Sequence, residues 1–315
     1  MERKLFLGAN LPGREGSNGY EGTEKALMEF YNLKELYLLK GGSGLGKGTF
    51  MQKFAEAFKD CTVDYYYCSG DVKSLDGVII KEKNIGMIDA TPPHILDPIY
   101  PGLKLEEILD LAQFIMPEKM HTSREVIDRI YKEKGEYYKQ ANVALAKLLK
   151  SRGAKGPADV NTAGKIYKQA EALLIKNNVK KEPPIKAFAR SVTSCGVSDF
   201  REGWAESPQK YIKIKCSEET ADIVFKKLHE KYGGYAFLHY LEPDMLEGAA
   251  VGGFCFVLDA GSEKKTDTAA LNDAIAALGR ADKFMHGKME AEYQGCVDFA
   301  KVDALFEQVV KQHRE

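Results

Sequence analysis

The sequence predicts an α/β fold built from three-layer α/β/α sheet units, present twice in the chain, each with a long helical hairpin. Three observations predict this fold. A glycine-rich loop, Gly41 to Thr49, stands between an apolar run, Leu36 to Leu39, and an amphipathic stretch, Phe50 to Phe58. A second apolar run ends in an acid, Ile85 to Asp89. The order of these features returns at low identity in the second half of the chain.

Length and composition indicate a globular chain. Its 315 residues, of which 44% are hydrophobic, suffice for one large or two ordinary domains. A net charge of −1 gives no reason to expect a nucleic acid or an anionic membrane as partner. The six cysteines are scattered without a C-x-x-C pair, as in reduced proteins, and residues 1–8 are too short and charged for a signal peptide. We therefore expect a cytoplasmic protein.

The elements before and after the loop follow from local pattern. Lys4 to Gly8 is an apolar run expected to form an edge strand, and Thr23 to Tyr31 a helix with Thr23 as N-cap. Thr62 to Cys68, rich in aromatic and β-branched residues, predicts the second strand. Leu105 to Leu149 and Ala158 to Lys176 have a charged helical pattern, and together they predict a hairpin that projects from the sheet.

The glycine-rich loop has the residues and the spacing that bind phosphate. Gly41, Gly46 and Lys47 meet the pattern G-x-x-x-x-G-K between a strand and a helix, as in the P-loop NTPase fold. Such a loop points its N–H groups at one anion, the helix N-terminus adds a positive dipole end, and the lysine supplies charge for the outer phosphates. The alternative is a glycine-rich turn. The residues expected to bind ATP or GTP are Gly41, Gly42, Ser43, Gly44, Leu45, Gly46, Lys47, Gly48 and Thr49.

Asp89 is the predicted magnesium ligand. An aspartate that ends an apolar strand some forty residues after the lysine loop matches the Walker B pattern, in which the carboxylate holds Mg²⁺, usually through water. The alternative is an ordinary strand end with an aspartate cap. Gly48 stands where the loop normally has serine or threonine, so Thr49 is the nearest hydroxyl for the metal. Ala90 follows Asp89 in place of the glutamate that activates water in many fast ATPases, which argues against fast turnover.

Two further residues are candidates for orienting water. Asp71 follows the second predicted strand and His94 follows the strand that ends at Asp89, so both are expected at the ligand-binding edge of the sheet. The alternatives are a turn or helix cap for Asp71 and a hydrogen-bonded turn residue for His94. The predicted catalytic set is therefore Lys47, Asp89, Asp71 and His94.

The second half of the chain predicts a degenerate repeat. Glu35 to Phe58 aligns without gaps with Gln209 to Tyr232, and Met87 to Ala90 with Val257 to Ala260. At the loop positions the repeat has no glycines, alanine stands in place of Lys47, and Ser217 is expected to cap the following helix. A proline-stiffened linker around residues 180–184 divides the chain into a nucleotide-binding domain, 1–182, and a repeat without the phosphate loop, 183–315.

Three stretches carry a family resemblance over nearly the whole chain. YLLKGGSGLGKGTFMQKF, YYCSGDVKSLDGVII and IGMIDATPPHILDP resemble an uncharacterised bacterial family of tandem-repeat P-loop ATPase-like proteins. The resemblance implies ATP or GTP at Gly41 to Thr49 and magnesium at Asp89. This chain departs from the family at Gly48 and in its erased second loop. The segment Gly46-Lys47-Gly48-Thr49 is locally similar to nucleoside-monophosphate kinases.

Three functions follow as expectations. The first is a slow, magnesium-dependent nucleoside-triphosphatase or a nucleotide-gated switch. The second is a small-molecule or nucleotide kinase, and the third is a non-catalytic nucleotide sensor or scaffold that binds a protein through its helical hairpins or its second repeat. The sequence leaves these alternatives open.

Overall fold

The structure is a computed structural model that describes residues 2–11, 20–22, 33–92, 94–99, 103, 105–122, 124–293 and 295–314. The helix expected at 23–31 lies outside these residues. Within them, the strands are β1 (Glu2–Phe6), β2 (Gly8–Asn10), β3 (Tyr20–Gly22), β4 (Glu35–Lys40), β5 (Val63–Tyr67), β6 (Leu75–Ile80), β7 (Ile85–Asp89), β8 (Glu106–Asp110), β9 (Pro184–Ala187), β10 (Arg190–Thr193), β11 (Gly196–Asp199), β12 (Tyr211–Ile214), β13 (Gly234–Leu238), β14 (Leu246–Val251) and β15 (Phe254–Leu258). The α-helices are α1 (Lys47–Ala57), α2 (Arg124–Ser151), α3 (Val160–Lys176), α4 (Glu218–Tyr232), α5 (Thr268–Asp282), α6 (Glu290–Tyr293) and α7 (Phe299–Arg314), with a π-helical turn at Lys283–Met289. The described helices include none whose length and apolarity would let it cross a bilayer.

The chain has a mixed α/β architecture with two main sheets. Sheet 1 has the strand order β1-β5-β6-β7-β4-β8. β1 pairs in parallel with β5, and β4 in parallel with β7 and β8, whereas β6 runs antiparallel to both of its neighbours. The strands expected at Thr62 to Cys68 and Ile85 to Asp89 are confirmed. The edge strand expected at Lys4 to Gly8 is present as β1, but it begins and ends two residues earlier.

Sheet 2 has the order β12-β15-β14-β13-β9. Taken strand by strand, this is the order β4-β7-β6-β5-β1 of sheet 1, with the same parallel and antiparallel pairings. Even a register irregularity recurs, between Tyr66 and Tyr67 in one sheet and between Phe237 and Leu238 in the other. Among the described strands, β8 has no counterpart in sheet 2.

The hydrogen-bond register corrects one part of the predicted repeat alignment. Ala90 N donates to Leu39 O (2.9 Å) at the end of β7, and Asp259 N donates to Ile214 O (2.8 Å) at the end of β15. The counterpart of Ala90 is therefore Asp259, one residue away from the sequence alignment. The cause is the turn between the two antiparallel strands, which spans 81–84 in sheet 1 but only 252–253 in sheet 2. The sheet 2 position that corresponds to Asp89 thus holds a leucine.

The two sheets pack face to face, which corrects the expected three-layer units. One face of sheet 1 packs on α1 and α7, and one face of sheet 2 packs on α3 and α4. Their other faces share one apolar core, which includes Leu38, Ile88, Phe237 and Val257. Each sheet was expected to have helices on both faces. In the structure, the other sheet takes the place of one of these two helical layers. The apolar residues on both faces of β4 and β15 satisfy either arrangement, so the sequence pattern alone does not distinguish them.

Two helix predictions also differ from the structure. α2 packs along α5, through residues such as Ala144 and Leu148, and α3 packs along α4, through Ala170 and Leu174. The two helices therefore do not form the expected projecting hairpin, because each buries its apolar stripe on a different helix. Residues 106–110, expected to be helical, form edge strand β8, since pairing with β4 outweighs their helix propensity.

Trp204 packs in the interface between the sheets, beside edge strand β1. It is buried, its indole N–H donates to Lys4 O (3.0 Å), and its ring lies 4.3 Å from the ring centroid of Tyr235. Replacing it with alanine removes this packing and leaves a cavity. We expect Trp204→Ala to lower the free energy of unfolding by about 3–5 kcal/mol, measured by urea denaturation followed by circular dichroism.

The matched control is Ile175→Ala, which removes an exposed apolar side chain from α3 and should change stability by less than about 0.5 kcal/mol. Equal effects of the two substitutions would show that the two sheets do not depend on this contact.

Candidate active site around the glycine-rich loop

The glycine-rich loop connects β4 directly to α1, as the sequence predicts. The helix begins at Lys47, and its N-cap is Gly46, in the left-handed conformation with φ 87°. Gly44 also has a positive φ, 81°, and a Cβ there would lie 3.0 Å from Glu290 Cα. A side chain at either position would strain the backbone or collide, so the sequence needs glycine there. No side chain caps the start of α1, and its first turn contains no acid, which leaves this positive helix end open to an anion.

Lys47 lies across the loop rather than in solvent. Its side chain is 9% exposed, and its ammonium donates to the carbonyl oxygens of Gly41 (2.8 Å) and Gly42 (2.9 Å). The same nitrogen is 3.6 Å from Asp89 Oδ2. Of the predicted loop residues, Gly41, Gly42 and Leu45 do not line the cavity described below; the first two hold the lysine, and Leu45 is buried in the core.

Asp89 reaches the loop because β7 is the parallel neighbour of β4. Leu39 and Asp89 are register partners, so the carboxyl ends of the two strands meet at one edge. Asp89 Oδ1 accepts hydrogen bonds from Thr91 N (2.9 Å) and Thr91 Oγ1 (2.5 Å), which fix the carboxylate. Burial raises the pKa of Asp89, and the nearby Asp76 adds to the rise, while Lys47 and Thr91 oppose it. A cation placed here would offset the cost of this buried charge.

His94 and Asp76 form a buried pair beside Asp89. His94 Nε2 lies 3.1 Å from Asp76 Oδ2, and both side chains are less than a tenth exposed. The structure therefore brings His94 into the site, as the sequence predicts, but through a carboxylate that sequence reasoning missed. The available signal was an acid near the start of an otherwise apolar strand, β6. A histidine held by a buried acid can accept or orient a proton or a water molecule.

Asp71 and Thr49 also line the site, in different ways. Asp71 Oδ1 accepts from Lys73 N (3.0 Å) and its carbonyl accepts from Ser74 N (2.9 Å), so it shapes the turn that precedes β6. This supports the turn alternative for Asp71, although the residue still borders the cavity. Thr49 borders it from the first turn of α1.

A side chain at Gly48 would lie close to the residues at the start of β6. A Cβ at this position would lie 3.0 Å from Ser74 Oγ and 3.7 Å from Leu75 N. The start of β6 therefore lies against the first turn of α1, where a serine or threonine would crowd it. Ser74 borders the same cavity, so a hydroxyl stands beside the position where the usual loop residue would carry one.

A cavity of about 700 Å³ opens over these residues. Its floor is the loop, α1 and the adjoining ends of β5, β6 and β7. Its other walls come from α2, from the end of α5 and from the chain that follows α5. Sequence reasoning missed the second set of walls, because nothing local to those segments indicates a contact with the loop. The lining residues it missed include Lys134, Tyr138, Asp282, Glu290, Phe299 and Asp303. Burial lowers the pKa of Lys134.

The corresponding edge of sheet 2 is filled by protein. Ser217 caps α4, as predicted, by accepting from Thr220 N (3.3 Å). Because α1 begins at Lys47 and α4 begins at Glu218, the counterpart of Lys47 is Glu218 and not an alanine, so the gap-free alignment of the two loops is wrong here. Glu218 in the first turn is buried against Arg152, whose Nη2 lies 2.6 Å from Glu218 Oε2. Glu219 pairs with Lys264 at 2.7 Å. The first turn of α4 thus carries two acids where the first turn of α1 has none, and basic side chains of the protein pair with them.

A metal cannot be assigned from protein ligands alone. Within the described part of the chain, no three His, Cys, Asp or Glu side chains are grouped as a metal site. Asp89 and Thr49, the predicted metal ligands, border one cavity, but they offer only part of a coordination shell. An ion here would need phosphate oxygens or water to complete it.

Comparison with known protein families, curated proteins and solved structures found no match to this chain. The family resemblance of the sequence therefore stays a prediction, and the function of the site is argued from its geometry.

The steric effect of a side chain at position 48 can be tested by substitution. We expect Gly48→Ala to lower the free energy of unfolding, because its Cβ meets the Ser74 hydroxyl. In a Ser74→Ala background the same change should be neutral or stabilising, because alanine is the better helix former. A double-mutant cycle by urea denaturation should give a coupling of about 0.5–1.5 kcal/mol. Identical effects of Gly48→Ala in both backgrounds would refute the steric explanation.

Proposed function

We propose that this chain binds a nucleoside triphosphate, ATP or GTP, in the glycine-rich loop, and that it acts as a slow magnesium-dependent nucleoside-triphosphatase or a nucleotide-gated switch. One observation carries the proposal. The Lys47 ammonium is held over the loop by two of its carbonyl groups, 3.6 Å from an aspartate that ends the neighbouring parallel strand. A lysine and an acid at an uncapped helix N-terminus are the parts that a phosphate-binding loop combines.

The loop supports phosphate binding through its backbone. The first N–H to bond within α1 is that of Phe50, which donates to Gly46 O (2.8 Å). The N–H groups before it, at Lys47, Gly48 and Thr49, have no partner in the preceding helical turn and point along the positive end of the helix. Lys47 adds the mobile charge, because its ammonium can exchange loop carbonyls for phosphate oxygens.

Magnesium fits this site as a companion of the phosphates. Asp89 offers a buried carboxylate whose pKa is raised mainly by burial, and Thr49 offers a hydroxyl at the same cavity. Both are hard oxygen ligands of the kind that Mg²⁺ prefers, and Mg²⁺ commonly keeps several waters. Bound magnesium would supply charge to neutralise the outer phosphates, while Lys47 and the loop amides hold them in place.

The residues around Asp89 favour slow turnover. The next residue is the buried Ala90, so the position directly after Asp89 has no carboxylate to activate water. The pair of His94 and Asp76 borders the same cavity and is able to orient a water molecule. Positioning and charge neutralisation alone give modest rates of phosphoryl transfer, as the intrinsic rates of GTPase switches illustrate.

The kinase alternative has less support. It drew on Gly48, as in the loops of nucleoside-monophosphate kinases, but the close approach of Ser74 is a separate reason to favour glycine there. We further propose that the chain arose by duplication of a P-loop unit. This is supported by the shared strand order and pairing of the two sheets, and the ion pairs of Glu218 and Glu219 then occupy the place of the lost second loop. A non-catalytic sensor remains the alternative if the site binds nucleotide without turnover.

Lys47→Ala tests the proposal. We expect its affinity for ATP with Mg²⁺, measured by calorimetry, to fall about ten- to hundredfold, because a charged hydrogen bond to phosphate is worth about 1.5–3 kcal/mol. The same titration with GTP identifies the preferred base, and released phosphate measures turnover.

Lys59→Ala is the matched control, since this lysine is exposed just beyond the end of the same helix. It should bind like the wild type. Nucleotide affinity unchanged by Lys47→Ala, in a variant that melts like the wild type, would refute the proposal.

A further inference from the structure

The start of α7 is fixed by its backbone to the segment that follows β8. Asp298 N donates to Phe114 O (2.9 Å), and Ile115 and Val297 form an isolated antiparallel bridge. Farther along, Val302 and Val309 are buried in the core that α1 and sheet 1 share. The position of this helix relative to the loop is therefore determined by the fold. The backbone that carries a side chain on its exposed face is therefore already ordered.

Phe299, the first residue of α7, is exposed despite this anchoring. Its side chain is 48% accessible, whereas most large apolar residues of this core are buried. Its Cε1 lies 3.2 Å from the position that a Cβ on Gly46 would occupy. The missing side chain of Gly46 thus makes room for this ring, beside the last residue of the loop. Phe299 and Lys47 border the same cavity.

The same face of α7 continues along the cavity wall. Asp303 and Phe306 follow Phe299 at helical spacing, and both border the cavity. Asp303 Oδ1 lies 2.6 Å from Lys53 Nζ, and the ring of Phe306 packs edge-on against Phe50 at 5.5 Å. These contacts between α1 and α7 keep the wall in one arrangement. These contacts do not involve Phe299, whose ring stays exposed to the cavity.

In a phosphate-binding loop the lysine reaches the outer phosphates, and the helix start holds the inner ones. Lys47 is tied to Gly41 and Gly42, whereas Phe299 lies at Gly46. The nucleoside should therefore leave the loop on the side of Phe299. An exposed, rigidly mounted ring is what a base needs for stacking, because every base has a π face.

We propose that Phe299 is the stacking platform for the base of the bound nucleotide. The C-terminal helix then completes a site whose phosphate half lies in the first third of the chain. This inference rests on the proposed nucleotide binding, which supplies the occupant. The inference places the base of the nucleotide on Phe299, a position that the sequence of the loop does not specify.

The test compares ATP with inorganic tripolyphosphate, which has the phosphates but no base. Calorimetry on the full chain should give wild-type affinity for ATP clearly above that for tripolyphosphate. In Phe299→Ala the affinity for ATP should fall about five- to hundredfold, from the loss of base–aromatic stacking. Its affinity for tripolyphosphate should stay within twofold of the wild type, and Phe299→Trp should retain ATP binding. Because the ring is half exposed, all variants should keep the wild-type melting temperature.

Three results would overturn the inference, and they differ from one another. If Phe299→Ala binds ATP like the wild type, the ring does not contact the base. If this variant loses ATP and tripolyphosphate in parallel, the ring supports the loop rather than the nucleoside. If the wild type binds neither ligand, the proposed function fails and the inference fails with it.

Discussion

The parallel pairing of β4 with β7 is the constraint on which the site depends. It aligns Leu39 with Asp89, so the loop that follows one strand meets the acid that ends the other. Lys47 can then lie between two loop carbonyls and that carboxylate. In sheet 2 the same pairing is kept between β12 and β15, but the turn before β15 is two residues shorter, and the acid is displaced by one position along the strand. The same strand pairing thus supports an open cavity at the edge of sheet 1, whereas the corresponding edge of sheet 2 is occupied by ion pairs.

The cavity is built from distant parts of the chain. Gly44 and Gly46 lack side chains where the backbone of Glu290 and the ring of Phe299 approach the loop. These contacts join the first third of the sequence to its last thirty residues, across both predicted domains. The loop glycines therefore serve two purposes, since they shape the turn that we propose to bind phosphate and also admit the C-terminal segment that walls the cavity. The site is therefore built from both predicted domains and does not belong to the first one alone.

The sequence predicted those parts of the site that depend on local pattern. The loop, its helix, the strand that ends at Asp89 and the cap at Ser217 follow from glycine spacing, apolar runs and capping chemistry. It did not predict Asp76 or Phe299, because each becomes a site residue only through packing against a distant segment. Edge strand β8 and the separate packing of α2 and α3 were missed for the same reason, since tertiary contacts outweighed the local helical pattern.

The central claim is that the loop of sheet 1 binds triphosphate and its counterpart in sheet 2 does not. Hydrogen exchange with mass spectrometry measures both in one sample, because it reports protection segment by segment. On adding ATP and Mg²⁺, the account predicts slower exchange in peptides that cover 41–50 and the start of α7, and unchanged exchange at 215–222. Protection at 215–222, or no change at 41–50 under saturating ATP, would contradict it.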